Sequence, residues 1–84
     1  MYFVYVLRSE LSGKLYTGST EDLKKRVIEH NSGLSFSTKN RGPWIVVHSE
    51  SFETRAEAFR RERELKTGKG RDELRRILSG REFG

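Results

Sequence analysis

The sequence predicts an α/β (α+β) domain: a small, mainly antiparallel three-stranded sheet flanked by helices. Three observations carry this reading. Tyr2-Phe3-Val4-Tyr5-Val6-Leu7 is continuously apolar, β-branched and aromatic, as a strand buried on both faces must be. Apolar residues recur at helical spacing around Leu23–Val27 and again around Ala58–Leu65, each stretch preceded by capping residues. The elements run strand, strand, helix, strand, helix. A crossover from the second strand over the first then places the long first strand in the centre.

The turn types Ser9 to Gly13 join the first strand to a second, Lys14 to Gly18, as a hairpin that brings Tyr5 near Tyr16. The first helix is expected to start at Ser19 or Thr20, with Glu21 and Asp22 suited to its positive end. Leu23 and Val27 form its seam and Ile28 widens it, and Asn31-Ser32-Gly33 stops it. At about 100° per residue, Arg26 and His30 lie about 60° and 20° from Leu23, so both border the buried face. Gly33 to Pro43 is a long connection with Lys39, Arg41 and no acid, which suits a binding element. Trp44 to His48 is the third strand, and Thr54-x-x-Glu57 is a capping box for the second helix. Gly68 and Gly70 are expected to break that helix, leaving a short third one over Asp72–Leu78 with Leu74, Ile77 and Leu78 inward.

The 84 residues fit one domain spanning 1–84, with the informative motifs inside 2–67. Hydrophobic residues are 33% and charged residues 35%, as in a water-soluble chain. Zero cysteines exclude a thiol nucleophile, a disulfide scaffold and cysteine-ligated metal, and two histidines argue against a histidine-rich structural metal site. The Tyr2–Leu7 run is too short for a membrane span and lacks a basic leader, so a cytoplasmic location is expected.

Lys and Arg number 17 against 12 Asp and Glu, and the excess is uneven. Residues 1–54 hold seven bases and six acids, whereas residues 55–84 hold ten bases and six acids. Arg60, Arg61, Arg63, Lys66, Lys69, Arg71, Arg75, Arg76 and Arg81 make the last third basic. Eleven of the bases are arginine, whose planar donor fork suits phosphate oxygens. The competing reading is an ordinary solvated surface of mixed charge.

Glu62 breaks the pattern. With Phe59 taken at 0° beside Ala58 and Leu65, Glu62 falls at about −60°, in the middle of the apolar stripe. A carboxylate there needs a partner. Either it joins a structural ion pair or reaches the sheet edge, or it holds a hard divalent cation whose shell is completed by water and substrate phosphate. Arg26 could neutralise a pentacovalent phosphate, and a tyrosine or His30 could position or deprotonate water. Each has a plainer alternative: Tyr5 and Tyr16 as packing residues, His30 as a helix-end hydrogen bonder, Arg26 paired with Asp22 or Glu29. His48 reads as a surface or sheet-edge residue, and Trp44 as an anchor of the preceding loop.

Together these residues resemble the GIY-YIG nuclease superfamily, in its small single-domain bacterial branch (UPF0213-like). Val4-Tyr5-Val6 matches the first tripeptide and Tyr16-Thr17-Gly18 the second. Arg26 follows at the spacing of the family's arginine, then His30-Asn31-Ser32-Gly33, Pro43-Trp44, and Glu62 within Ala58-Phe59-Arg60-Arg61-Glu62. The resemblance covers roughly residues 2–67 and departs from the usual pattern at three points. Val4 replaces a glycine, Thr17 replaces an isoleucine, and Ser19 stands where several active relatives have a lysine. It implies an active-site set of Tyr5, Tyr16, Arg26, His30 and Glu62, with one Mg2+ or Mn2+ held by Glu62. The implied reaction is hydrolysis of DNA phosphodiesters, on branched, nicked or damaged duplex. Lys39, Arg41, Arg60, Arg61, Arg63, Lys66 and Lys69 are the expected DNA contacts. A repair-protein partner and a monomer or weak homodimer complete the picture. The alternatives are a nucleic-acid-binding module with little hydrolysis and a protein-interaction domain.

Overall fold

The computed structural model describes residues 1–35 and 38–83. Among them are β1 (Tyr2–Ser9), β2 (Leu15–Thr20), α1 (Leu23–Asn31), β3 (Trp44–Phe52), α2 (Arg55–Leu65) and α3 (Gly68–Phe83). The sheet order is β2-β1-β3, with β1 antiparallel to both neighbours, so the apolar first strand is central as the sequence predicts.

Side chains alternate along β1, and each face has its own helical cover. Val4 and Val6 pack with Ala58 and Leu65 of α2 and Leu74 of α3. Tyr5 and Leu7 pack on the other face with Trp44, Tyr16, and Leu23 and Val27 of α1. Fully burying each such aliphatic side chain is worth about 1.5–3 kcal/mol, and a core this small depends on every one of them.

β3 runs four residues past the predicted end at His48, and its register explains why. Val6 pairs with His48 but Leu7 with Val46, so Val47 is an extra residue at an irregularity. Without that step Trp44 and His48, four residues apart, would share a face. With it, Trp44 joins the α1 side, while His48 and Glu50, opposite Val6 and Val4, share the α2 side. His48 therefore lies on the edge strand, as one of its two readings expects, but is buried and not a surface residue, and its Nε2 lies 2.7 Å from Glu50.

Arg61 of α2 completes this polar cluster. Its guanidinium donates to both oxygens of Glu50 at 2.8 and 3.1 Å and to both of Glu73 on α3 at 3.2 and 2.6 Å. It bonds Glu64 as well. Burial would push the Glu50 carboxyl up, but the Arg61 and His48 hydrogen bonds outweigh it and hold the pKa below its ordinary value. Arg61 thus ties β3, α2 and α3 together.

The helix ends differ from the sequence reading. Asp22, not Ser19 or Thr20, caps α1: its carboxylate accepts from the Lys25 N–H at 3.1 Å. Thr20 instead accepts the Asp22 N–H, and Ser19 stays in β2. Ile28 is 58% exposed and Phe59 53% exposed, so neither belongs to its helix seam. The inward stripe of α2 runs Ala58, Glu62 and Leu65, and Phe59 instead lies under the Arg63 guanidinium at 6.0 Å. Thr54 caps α2 through the Glu57 N–H, as the capping box predicts.

Gly68 and Gly70 do not break α2, which ends at Leu65 with Lys66 as its C-cap; both lie inside the first turn of α3, which is longer than expected. Gly70 is buried where α3 meets the end of α2. A Cβ there would collide with the Glu64 carbonyl oxygen and come within 2.6 Å of the Leu65 Cα. Both obstacles are backbone and cannot swing aside. Gly70→Ala should therefore lower stability by at least about 2 kcal/mol in thermal or urea unfolding. Gly68→Ala meets nothing within 4 Å and should be neutral or stabilising by up to about 1 kcal/mol. Equal unfolding midpoints for the two variants would remove the close helix–helix approach as the reason for Gly70.

Candidate active site

The site is organised by Tyr5. Its pairing partner in β2 is Gly18, and the tyrosine ring lies across that glycine. A Cβ on Gly18 would stand 2.5 Å from the Tyr5 hydroxyl and 2.7 Å from Cζ. The glycine of the second tripeptide thus makes room for the tyrosine of the first, and it brings the hydroxyl out over the edge strand. Tyr16, diagonal to Tyr5 on the same face, has its ring centroid 6.5 Å away. The expected proximity of the two tyrosines is met.

His30 enters from the last turn of α1 and is 1% exposed. Its Nε2 lies 2.9 Å from the Tyr5 hydroxyl and its Nδ1 2.6 Å from the Thr38 hydroxyl. The Tyr16 ring meets the imidazole edge-on at 5.0 Å. Burial, and then the nearby Arg26 charge, lower the His30 pKa below its ordinary value. A neutral imidazole offers one N–H and one lone pair, so the two bonds form a directed chain from Tyr5 to Thr38. Burial raises the Tyr5 pKa, so the phenol keeps its proton, while Arg26 pulls the other way.

The long connection is held to this chain. Trp44 donates its indole N–H to the Thr38 carbonyl at 3.1 Å, and its ring packs on Tyr16 at 6.4 Å. Asn31 brackets the Trp44 backbone, accepting its N–H at 2.6 Å and donating to its carbonyl at 3.0 Å. Trp44 is the loop anchor the sequence predicts. Thr38 and the Asn31 bracket are contributions that sequence reasoning missed. Thr38 lies in a segment with no periodicity to mark it, whereas Asn31 stands in the helix stop and in the His30-Asn31-Ser32-Gly33 stretch of the resemblance, neither of which indicates its bond to the Trp44 backbone.

Arg26 is half-buried one turn before His30 and donates to Glu29 at 3.0 Å. This is the helix-surface pairing weighed from the sequence, yet the guanidinium also acts on both tyrosines.

Glu62 reaches the site from the opposite helical layer. Ser19 lies beside Gly18 and opposite Val4, so its side chain is on the α2 face, and its hydroxyl donates to Glu62 Oε1 at 2.6 Å. Lys66, one helical turn on, donates its ammonium to Oε2 at 2.7 Å. The Glu62 side chain is 14% exposed, and its charge contributes to the raised pKa of Tyr5. The β2 edge therefore has the tyrosine hydroxyl above and the carboxylate below. No cluster of three or more His, Asp, Glu or Cys side chains with metal-ligand spacing occurs among the described residues. Glu62 is a single carboxylate. Its chemistry fits a hard cation that keeps most of its water, and Lys66 already shows that Oε2 accepts a positive charge.

Residues 1–75 match the family model of the GIY-YIG catalytic domain. The chain belongs to the GIY-YIG family. It is 39% identical over 80 residues to a UPF0213 protein of Staphylococcus saprophyticus, covering 94% of this chain and 96% of that one. A UPF0213 protein of Staphylococcus aureus is 42% identical over 77 residues, 90% of this chain and 93% of its own. The solution NMR structure of a UPF0213 protein from Bacillus halodurans superposes with a TM-score of 0.56 at 33% identity, covering 92% of this chain and 85% of that chain. This GIY-YIG domain thus has the three-stranded α+β architecture, and among its described residues no helix is long and apolar enough to cross a membrane.

The bases expected to contact DNA in this GIY-YIG domain are spread over the long connection, α2 and α3. Lys39 and Arg41 lie exposed on the long connection, Arg60 and Arg63 on the outer face of α2, and Lys69 at the start of α3. Lys66 holds Glu62. Arg61 is committed to three carboxylates inside the fold, which leaves little of its donor fork for phosphate. Arg81 lies outside the described side chains.

The His30 environment has a pH signature. A folded-state pKa below the ordinary 6.5 means that the unfolded chain binds more protons just below that value. The stability is complete above it and is lost as pH falls from there towards the folded pKa. Melting of wild type at about pH 7.5 and 5.5 should show a larger acid decrease than melting of His30→Gln. Equal decreases would exclude His30 as the source.

Proposed function

We propose that the domain is a divalent-metal-dependent endonuclease hydrolysing DNA phosphodiester bonds, acting on nicked or branched duplex. One observation carries the proposal. Tyr5, Tyr16, Arg26 and His30 come together at a single strand edge, and Glu62 meets that edge from the other layer. A binding module has no chemical use for a carboxylate beside a phosphate site, because it repels the ligand.

In this reading Glu62 would hold the cation in place of the Lys66 ammonium, with Ser19 keeping the carboxylate oriented. When bound, the cation supplies Lewis-acid stabilisation of phosphoryl and leaving oxygens. Arg26, half-buried and tethered to Glu29, faces the charge that builds on the pentacovalent phosphate. Tyr5 takes the proton of the attacking water while passing its own to His30 Nε2. The imidazole is neutral at physiological pH and therefore free to accept it. Thr38 holds the imidazole on its far side. Tyr16, half-buried and more open than Tyr5, orients the water or the scissile phosphate.

Glu62→Gln tests the proposal. Glutamine keeps an acceptor for Ser19, and Lys66 is half-exposed, so stability should change by less than about 1 kcal/mol. Manganese should raise the melting temperature of wild type and not of the variant. Cleavage of a nicked or branched duplex should fall about 100-fold or more. A variant cutting at the wild-type rate removes Glu62 from catalysis. Matching manganese responses remove it as the metal ligand.

A further inference from the structure

A groove of about 470 Å³ runs beside the site, between the free edge of β2 and the junction of α2 with α3. Four cations border it: Lys14, Lys66, Arg71 and Arg75, with no acid among its lining residues. Its apolar floor is Leu15, 42% exposed, beside half-buried Tyr16, while Leu65 and Leu74 are buried in the core. Lys14 and Arg71 have no carboxylate partner among the described residues, and Arg75 has only the exposed Asp72. Tyr16 lines the groove, and Lys66 leads from it to Glu62. In the sequence Lys14 and Leu15 are only the start of the second strand; they meet the arginines of α3 in the fold.

We propose that this groove holds a single-stranded flank of the nucleic acid leaving the active site. The proposal rests on the nuclease reading above for the substrate class. Unpaired cations on both walls match a phosphodiester backbone, and the volume lies in the range that takes a nucleotide-sized ligand. The floor decides between strand states. Duplex DNA buries its base faces in its own stack and presents phosphates alone, so an apolar floor between cationic walls gains nothing from it. An unpaired nucleotide lays a base or sugar face on Leu15 and the neighbouring Tyr16 ring while its phosphates reach Lys14 and Arg71. An acidic peptide satisfies the walls but not the floor.

Fluorescence anisotropy on metal-free protein tests this without cleavage, using an oligothymidylate of about 12 nucleotides and a blunt hairpin duplex. Lys14→Ala/Arg71→Ala should weaken oligothymidylate binding about tenfold and flatten its log–log salt slope by about 1.4, two contacts at about 0.7 each. Lys24→Ala/Lys25→Ala, on exposed α1 positions, removes equal charge and should have a much smaller effect. Leu15→Asn changes no charge and should weaken the oligothymidylate while leaving the hairpin unchanged. Equal losses on oligothymidylate and hairpin, a Leu15→Asn protein that binds like wild type, or polyglutamate competing as well as oligothymidylate would each overturn the proposal. Cleavage enters none of these readings. An inert wild type that shows the pattern would sink the nuclease and keep the groove, and an active enzyme without it would do the reverse.

Discussion

Because β1 is paired along both edges and covered on both faces, each of its side chains has one place to go. A slip of one residue would exchange Tyr5 with Val4 or Val6, putting a hydroxyl into the aliphatic layer of Ala58, Leu65 and Leu74. The register is therefore fixed by the larger core, and the position of Tyr5 is a consequence of it. Gly18 then follows, because any side chain opposite Tyr5 would strike its hydroxyl. His30 follows in turn, because a phenol that is 1% exposed needs a partner, and α1 is the element covering that face. Fold and candidate site are built from the same strand.

Two polar clusters sit on opposite sides of this strand and divide the charge between them. On the α2 face, Arg61 is surrounded by Glu50, Glu64 and Glu73, a set of interactions spent on holding three elements together. On the α1 face, Arg26 acts on both tyrosines while bonded to Glu29, and burial holds the imidazole's pKa below its ordinary value. Glu62 lies between these regions, with Ser19 and Lys66 on its two oxygens. One arginine from the basic third is thus structural, and one carboxylate from the core stripe opens to the edge. Composition cannot separate these uses of like residues.

The strand content, the strand order and the α2 cap are legible in the sequence, since each rests on local pattern or on spacing, whereas the five-residue set comes from the family resemblance. The misreadings have physical causes. Ala58 and Phe59 are adjacent, and hydrophobicity favoured the larger, but the narrow contact of α2 takes the alanine and leaves the phenylalanine under Arg63. His48 lies on the edge strand as one reading has it, and its burial was hidden because one irregular residue at Val47 reverses the alternation of β3, which nothing in the local sequence signals. Gly70 looked like a helix breaker because its packing role depends on the Glu64 and Leu65 backbone. Asp22 was recognised as suited to the helix start but assigned one turn too far inside.

Ser19 shows how a departure at one position can be answered from another element. A serine there supplies no positive charge, yet an ammonium stands 2.7 Å from Glu62 all the same, delivered by Lys66 from the next turn of α2. Ser19 takes the other oxygen at 2.6 Å, so the carboxylate is oriented by the strand and neutralised by its own helix. The arrangement has a physical advantage over a strand lysine. A long side chain i+4 along an exposed helix face can leave and return without disturbing the sheet, whereas the serine bond, short and part-buried, keeps the carboxylate aimed at the edge. Lys66 also lines the groove. The same ammonium thus serves both the carboxylate and the wall of the groove.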